Sequence, residues 1–240
     1  LTIDEKNRVI KVGKFQVKAG ELITIDGSSG KIFQGEVCLV QPEFSGEFKE
    51  IMSWADNIRK LKVMANAETI NDAQTAIKFG AEGIGLCRTE HMFFEADKVN
   101  LVRQMIIAND VVTRKKILQK LLLLQKKDFK SLFEVIKELP ITIRLLDPPL
   151  HEFLPKNDND IKNLSNSLGV PFITLKNRIS YLEEINPMLG HRGCRLAITY
   201  PEIYEMQVEA IISSAIEVEQ QEKIKLNIEI MIPLISTEAD

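Results

Sequence analysis

The chain has 240 residues, 45% of them hydrophobic and 27% charged, with a net charge of −3 at neutral pH. That is globular composition with no global pull toward nucleic acid or an anionic membrane, so any anion site must come from a few placed residues. No apolar run approaches the roughly 20 residues of a membrane span, and the N-terminus lacks a signal-peptide pattern. The three cysteines, Cys38, Cys87 and Cys194, are widely spaced and odd in number, which predicts reduced thiols in a cytoplasmic protein. Leu1 opens directly into strand-like sequence, and truncation at both ends is expected.

Residues 1–40 read as β-rich. Lys14 to Val17 alternates, Leu22 to Ile25 is a short strand, Asp26 to Gly30 is a turn, and Ile32-Phe33 and Val37 to Val40 follow as strands. From Pro42 the period changes. Phe44, Phe48, Ile51, Ala55 and Ile58 share one face of an amphipathic helix, which fits a linker between domains or the first helix of the second domain. Trp54 is expected to pack that helix.

Beyond Leu61, strands and helices alternate. Val63 to Ala65 is a strand. Thr69-x-x-Asp72 opens a helix with Ile70, Ala73 and Ile77 on its apolar face and Gly80 as its stop. Gly83 to Cys87 is a second strand. A helical stretch from Glu95 to Glu138 is expected to break near Asn109-Asp110 and at Lys126-Lys127-Asp128. Ile141 to Leu146 is a third strand, and residues 151–170 are a loop-rich excursion with a short helix. Asn186 to Leu196 reads as strand and loop, Pro201 opens a helix to Glu222, and Ile228 to Ile232 is the last strand.

This alternation predicts an α/β fold with a parallel sheet of about five strands. A closed barrel needs eight strands and about 250 residues, so the expected architecture is an incomplete (β/α)8 TIM barrel. A doubly wound sheet is the alternative, but its G-x-G-x-x-G fingerprint is absent and Gly83-Ile84-Gly85 lacks the third glycine.

Three arginines are the candidate chemistry. Arg88 ends the second strand, Arg144 lies within the third, and Arg192 sits in Asn186 to Gly193. Guanidinium forks match carboxylate and phosphate oxygens, and three converging forks suit a small multivalent anion. A strand-end arginine also serves as an ordinary salt bridge. For Arg144, inside a strand, an anionic partner is required, with Glu90, Asp147 or a ligand as candidates. His91, His151 and His191 share no metal spacing. Glu229 either faces solvent or points into a barrel, and Arg114-Lys115-Lys116 reads as a solvated helix face.

Three segments carry a resemblance: Gly83-Ile84-Gly85-Leu86-Cys87-Arg88-Thr89-Glu90-His91-Met92-Phe93-Phe94, Ile143 to Pro155, and Asn186-Pro187-Met188-Leu189-Gly190-His191-Arg192-Gly193-Cys194-Arg195-Leu196. They resemble the phosphoenolpyruvate-utilising enzyme family. Asp147-Pro148-Pro149-Leu150-His151-Glu152-Phe153 is similar to the family's dikinase form and unlike the Enzyme I and phosphoenolpyruvate synthase forms, which remain the alternatives beside a non-catalytic scaffold piece.

The resemblance implies that residues 1–40 are the end of a swivelling phosphohistidine domain, 41–60 a linker helix, and 61–240 the first part of a phosphoenolpyruvate/pyruvate-binding barrel. It implies a phosphotransferase interconverting ATP, phosphate and pyruvate with AMP, diphosphate and phosphoenolpyruvate through a phosphohistidine carrier. Arg88 and Arg144 would bind phosphoryl and enolate oxygens, with Arg192 supporting the same pocket. No catalytic or metal-ligating residue is assigned to this chain. The phosphohistidine would lie upstream, and the Mg²⁺ ligands and proton-donating cysteine beyond Asp240. The parent would use Mg²⁺ and a monovalent cation and form a homodimer, and this chain alone would be inactive.

Overall fold

The computed structural model describes residues 2–39 and 46–237. The chain divides into two compact units, Leu1–Ile58 and Arg59–Asp240.

In the first unit, β1 (Thr2–Asp4), β2 (Val9–Val12) and β3 (Phe15–Lys18) form an antiparallel meander, and β4 (Ile23–Asp26) pairs with β5 (Lys31–Gln34) as a separate hairpin. The Asp26 carboxylate accepts from the backbone of Ser28 and Ser29, which fixes the hairpin turn. Residues 37–39, expected in a strand, have no regular structure; Val40 lies outside the described residues. The helix α1 (Gly46–Ile58) falls within the expected linker, with Phe44 outside the described residues. It buries no residue, and Trp54, expected to pack, is 58% exposed.

The second unit holds four parallel strands: β6 (Ala65–Asn66), β7 (Ile84–Arg88), β8 (Pro140–Arg144) and β9 (Asn227–Met231). Their spatial order follows their chain order, with no reversal. The described residues thus give four strands where about five were expected. Asn186 to Leu196 is the difference: it forms turns that lead into the short helix α8 (Cys194–Thr199). Its backbone bonds go to the sheet's ends, Gly193 N–H donating to Asp147 O and Cys194 N–H to Pro233 O.

Gly83 and Gly85 serve close packing. A Cβ at Gly83 would stand 2.5 Å from the Pro140 carbonyl oxygen, and one at Gly85 would stand 2.9 Å from Met64 Cβ. The helix α2 (Ile70–Lys78) starts with the expected capping box between Thr69 and Asp72. Between β7 and β8 run α3 (Thr89–Phe93), α4 (Ala96–Ile107) and α5 (Val111–Ile136).

The break at Asn109-Asp110 is present, and Asp110 caps α5. The break at Lys126 to Asp128 is not. Leu118, Leu121, Gln125, Phe129, Leu132 and Ile136 keep one continuous buried stripe, and the charges pair sideways, Lys126 with Glu217 and Asp128 with Lys98. After β8 come a 3-10 turn (Leu150–Phe153), α6 (Asp158–Leu168) and α7 (Phe172–Leu182), then α8 and α9 (Pro201–Glu222).

The main core joins Ile84, Cys87, Ile141 and Ile143 of the strands to apolar faces of α4, α5 and α9. On β8 the alternate residues Thr142 and Arg144 are only partly buried, so this strand presents one apolar and one polar face.

Candidate active site

Parallel strands place their C-terminal ends side by side, and here the ladder pairs Arg88 with Arg144 directly. Both guanidiniums therefore leave the same edge of the sheet. Thr142 and Glu229 are also ladder partners, and the Thr142 hydroxyl donates to Glu229 Oε2 at 2.7 Å. Glu229 thus belongs to the same polar face as Arg144.

The chain after each strand supplies the carboxylates. Arg88 Nε donates to Glu68 Oε1 at 2.5 Å. Arg144 Nη2 donates to Glu90, the second residue of α3, and Arg144 Nη1 lies 3.0 Å from Asp147 Oδ2. Arg192 reaches the same carboxylate through two bonds, Nη2 to Oδ2 at 2.6 Å and Nε to Oδ1 at 3.2 Å. Asp147 therefore joins Arg144 to Arg192, and strand register joins Arg144 to Arg88. All three sequence-predicted residues come together.

The layers differ in exposure. The carboxylate side chains of Asp147 and Glu90 are 4% and 9% exposed, whereas those of Arg88 and Arg144 are 35% and 21%. Buried carboxylates thus hold guanidiniums that keep contact with solvent. Three positive groups face Glu68, Glu90 and Asp147, and the contacts are charge-assisted and directional. The bond to Glu68 raises the Arg88 pKa further, so its charge is permanent. Among the described residues, Arg144 Nε and Glu90 Oε2 are buried without a hydrogen-bond partner. Buried polar atoms ordinarily find partners, and Gln125, His151 and Arg178 also carry such atoms.

Among the described residues, no nucleophile is poised beside the cluster. Burial, then the neighbouring Glu68 and Glu90, pushes the Cys87 thiol up to about 12, so it stays protonated. Burial also raises the Tyr204 hydroxyl, which remains a donor, toward Leu146 O at 2.6 Å. Among the described residues no three His, Cys, Asp or Glu side chains gather as a metal site. Asp147 is committed to guanidiniums through both oxygens and Glu90 through one, so this donor set does not fit Mg²⁺. A cleft of about 470 Å³ lies elsewhere, between α4, α5, α6 and α7.

Residues 42–240 match the family model described as PEP-utilising enzyme, PEP-binding domain. The chain belongs to the phosphoenolpyruvate-utilising enzyme family. It is 58% identical over 236 residues to pyruvate, phosphate dikinase of Rickettsia felis, covering 98% of this chain and 27% of that relative. It is 50% identical over 240 residues to pyruvate, phosphate dikinase of Rhizobium meliloti, covering 100% of this chain and 27% of that relative. With pyruvate, phosphate dikinase 1, chloroplastic, of Arabidopsis thaliana, identity is 48% over 239 residues, covering 99% and 25%. The chain thus spans about a quarter of the length of the curated relatives it matches. Within this family segment, sequence reasoning missed Glu68, Thr89, Tyr204 and Gln207. Glu68 carries no sequence signal. Gln207 does: it interrupts the buried stripe Ile203, Ala210, Ile211 and Val218 of α9.

Proposed function

We propose that this chain carries the phosphoenolpyruvate/pyruvate-binding part of a dikinase-type phosphotransferase, with Arg88, Arg144 and Arg192 as its anion-binding side chains. The observation that carries the reading is the single edge at which Arg88 and Arg144 emerge in register while Asp147 ties in Arg192. Four parallel strands in chain order favour an arc of a (β/α)8 barrel, since a doubly wound sheet reverses its order at the switch point. Residues 1–40 are then the end of a swivelling phosphohistidine domain, 41–60 its linker and 61–240 the first part of the barrel.

In the whole enzyme, ATP and phosphate would charge a histidine outside this chain, leaving AMP and diphosphate. Pyruvate loses a methyl proton to an acid–base group also outside the chain, and the enolate oxygen takes the phosphoryl group from histidine. The charge at both oxygens is spread, so catalysis is mostly positioning and neutralisation. Guanidiniums suit that task because they add charge without exchanging protons. The parent enzyme is read as a cytoplasmic homodimer that uses Mg²⁺ and a monovalent cation.

The reading is tested by calorimetry with phosphoenolpyruvate on this chain and on its Arg144→Leu variant. Binding heat that disappears in the folded variant supports it. Equal binding by both would overturn the role of Arg144, and phosphoenolpyruvate formation by the pure chain would show that the chemistry is wrongly divided.

A further inference from the structure

Among the buried residues of the helix α9, Tyr204 and Gln207 carry polar groups that point at the strand ends. Both reach the residue that follows Leu145. Leu146 N–H donates to Gln207 Oε1 at 2.8 Å, and the Tyr204 hydroxyl donates to Leu146 O at 2.6 Å. The ladder ends one residue earlier, where Leu145 N–H donates to Met231 O. One helix therefore takes over both backbone groups of Leu146 where the sheet stops.

The second end of Gln207 reaches another strand's end. Leu146 N–H can meet only the amide oxygen, so Nε2 must face the other way, and it donates to Thr89 Oγ1 at 2.9 Å. Satisfying Leu146 alone would not require this second bond. Its two targets flank the cluster. Thr89 lies between Arg88 and Glu90, and Leu146 precedes Asp147, which holds Arg144 and Arg192.

We infer that Gln207, assisted by Tyr204, is a positioning residue that sets the separation of the β7 and β8 ends, and with it the spacing of the three guanidiniums. An amide is planar and rigid, so with both ends used it acts as a fixed spacer. The inference rests on the anion-binding reading of the arginines.

The test uses the full-length polypeptide that contains this chain, with Gln207→Met, Tyr204→Phe, Arg144→Leu and the core variant Val218→Ala on the same helix. The measurements are kcat, KM, phosphoenolpyruvate affinity and the unfolding midpoint. Methionine keeps the volume and removes both bonds. A misplacement of about 1 Å can cost about 10²-fold in rate, so Gln207→Met is expected to lose about 10- to 100-fold in kcat per folded molecule. Val218→Ala should lose stability and keep its rate. A Gln207→Met rate matching that of Val218→Ala overturns the inference. Should Gln207→Met fail to fold, Tyr204→Phe decides: a lower kcat at an unchanged midpoint supports it, and an unchanged kcat overturns it. If Arg144→Leu retains full affinity, the anion-site reading itself falls. If Arg144→Leu is inactive while Gln207→Met matches wild type, only the spacer role falls.

Discussion

Two regions of the second unit hold buried arginine–carboxylate contacts, and they are built differently. Between α5 and α9, Arg114 is enclosed: it pairs with Glu202 at 3.0 Å, donates to Ala108 O at 3.1 Å and lies 4.6 Å from the Tyr200 ring centroid. At the strand ends, Arg144 and Arg192 share one carboxylate, stay more exposed, and leave Arg144 Nε and Glu90 Oε2 unpaired among the described residues. A closed, saturated pair stabilises a helix interface. The more exposed cluster of the same residue types is the one that the proposed function assigns to an anion.

The sharpest way to break this comparison is to remove one arginine from each region. Arg114→Leu strands Glu202, which is almost fully buried, so unfolding free energy should fall by about 3–5 kcal/mol. The rate per folded molecule of the full-length polypeptide should not change. Chemical denaturation beside a folded-fraction assay checks both, and an unaltered midpoint would remove Arg114 from the structural class.

On the anion-binding reading, Arg144→Leu should lose rate per folded molecule and, because it strands the buried Glu90, some stability as well. Losing one transition-state donor costs about 10²–10³ in rate, roughly 3–4 kcal/mol. Pairing it with Glu90→Gln leaves no stranded charge there, since Asp147 keeps Arg192. The double variant should therefore recover stability without recovering activity. An active, unstable double variant would place Arg144 in the same class as Arg114.

A smaller effect tests how Arg192 is held. Gly193 sits at φ +57°, and a Cβ there would meet Pro233 O and Leu234 Cδ1 at 2.9 Å. Gly193→Ala should cost about 1–3 kcal/mol through a backbone conformation that side chains resist. It should weaken phosphoenolpyruvate binding as well, because the same turn carries Arg192. Wild-type affinity with lowered stability would uncouple the turn from the site.

The smallest effect lies at α2. Thr69 Oγ1 accepts from Asp72 N–H, and the Asp72 carboxylate accepts from Thr69 N–H, each at 3.1 Å. Thr69→Ala should cost about 1 kcal/mol. The hydrogen bond to Thr69 is the main cause holding the Asp72 carboxyl below its ordinary 3.8. The carboxylate's share of the cap is therefore complete above about pH 4 and fades as pH falls through the depressed value. Wild type and Asp72→Asn should converge in acid, and a constant difference down to pH 2 would contradict this.

Local pattern by itself determined much of this protein. The capping box of α2, the proline start of α9 and the alternation along β8 were legible because each depends on residues within a few positions of one another. Arg88 and Arg144 stood out as candidates because each is a charge in or at the end of an apolar strand, and the quoted motifs carried the family. Tertiary structure decided the rest. Lys126 to Asp128 looked like a break, but Glu217 and Lys98, distant in sequence, pair with its charges and let α5 run on. The segment Asn186 to Leu196 looked partly like a strand, but its backbone bonds are local turns or reach Asp147 and Pro233 rather than running along a ladder. Arg114 looked solvated until α9 covered it with Glu202. Gln207 and Tyr204 gain meaning only when α9 lies across the ends of two strands. Pairing between residues tens of positions apart depends on packing, which no local period encodes.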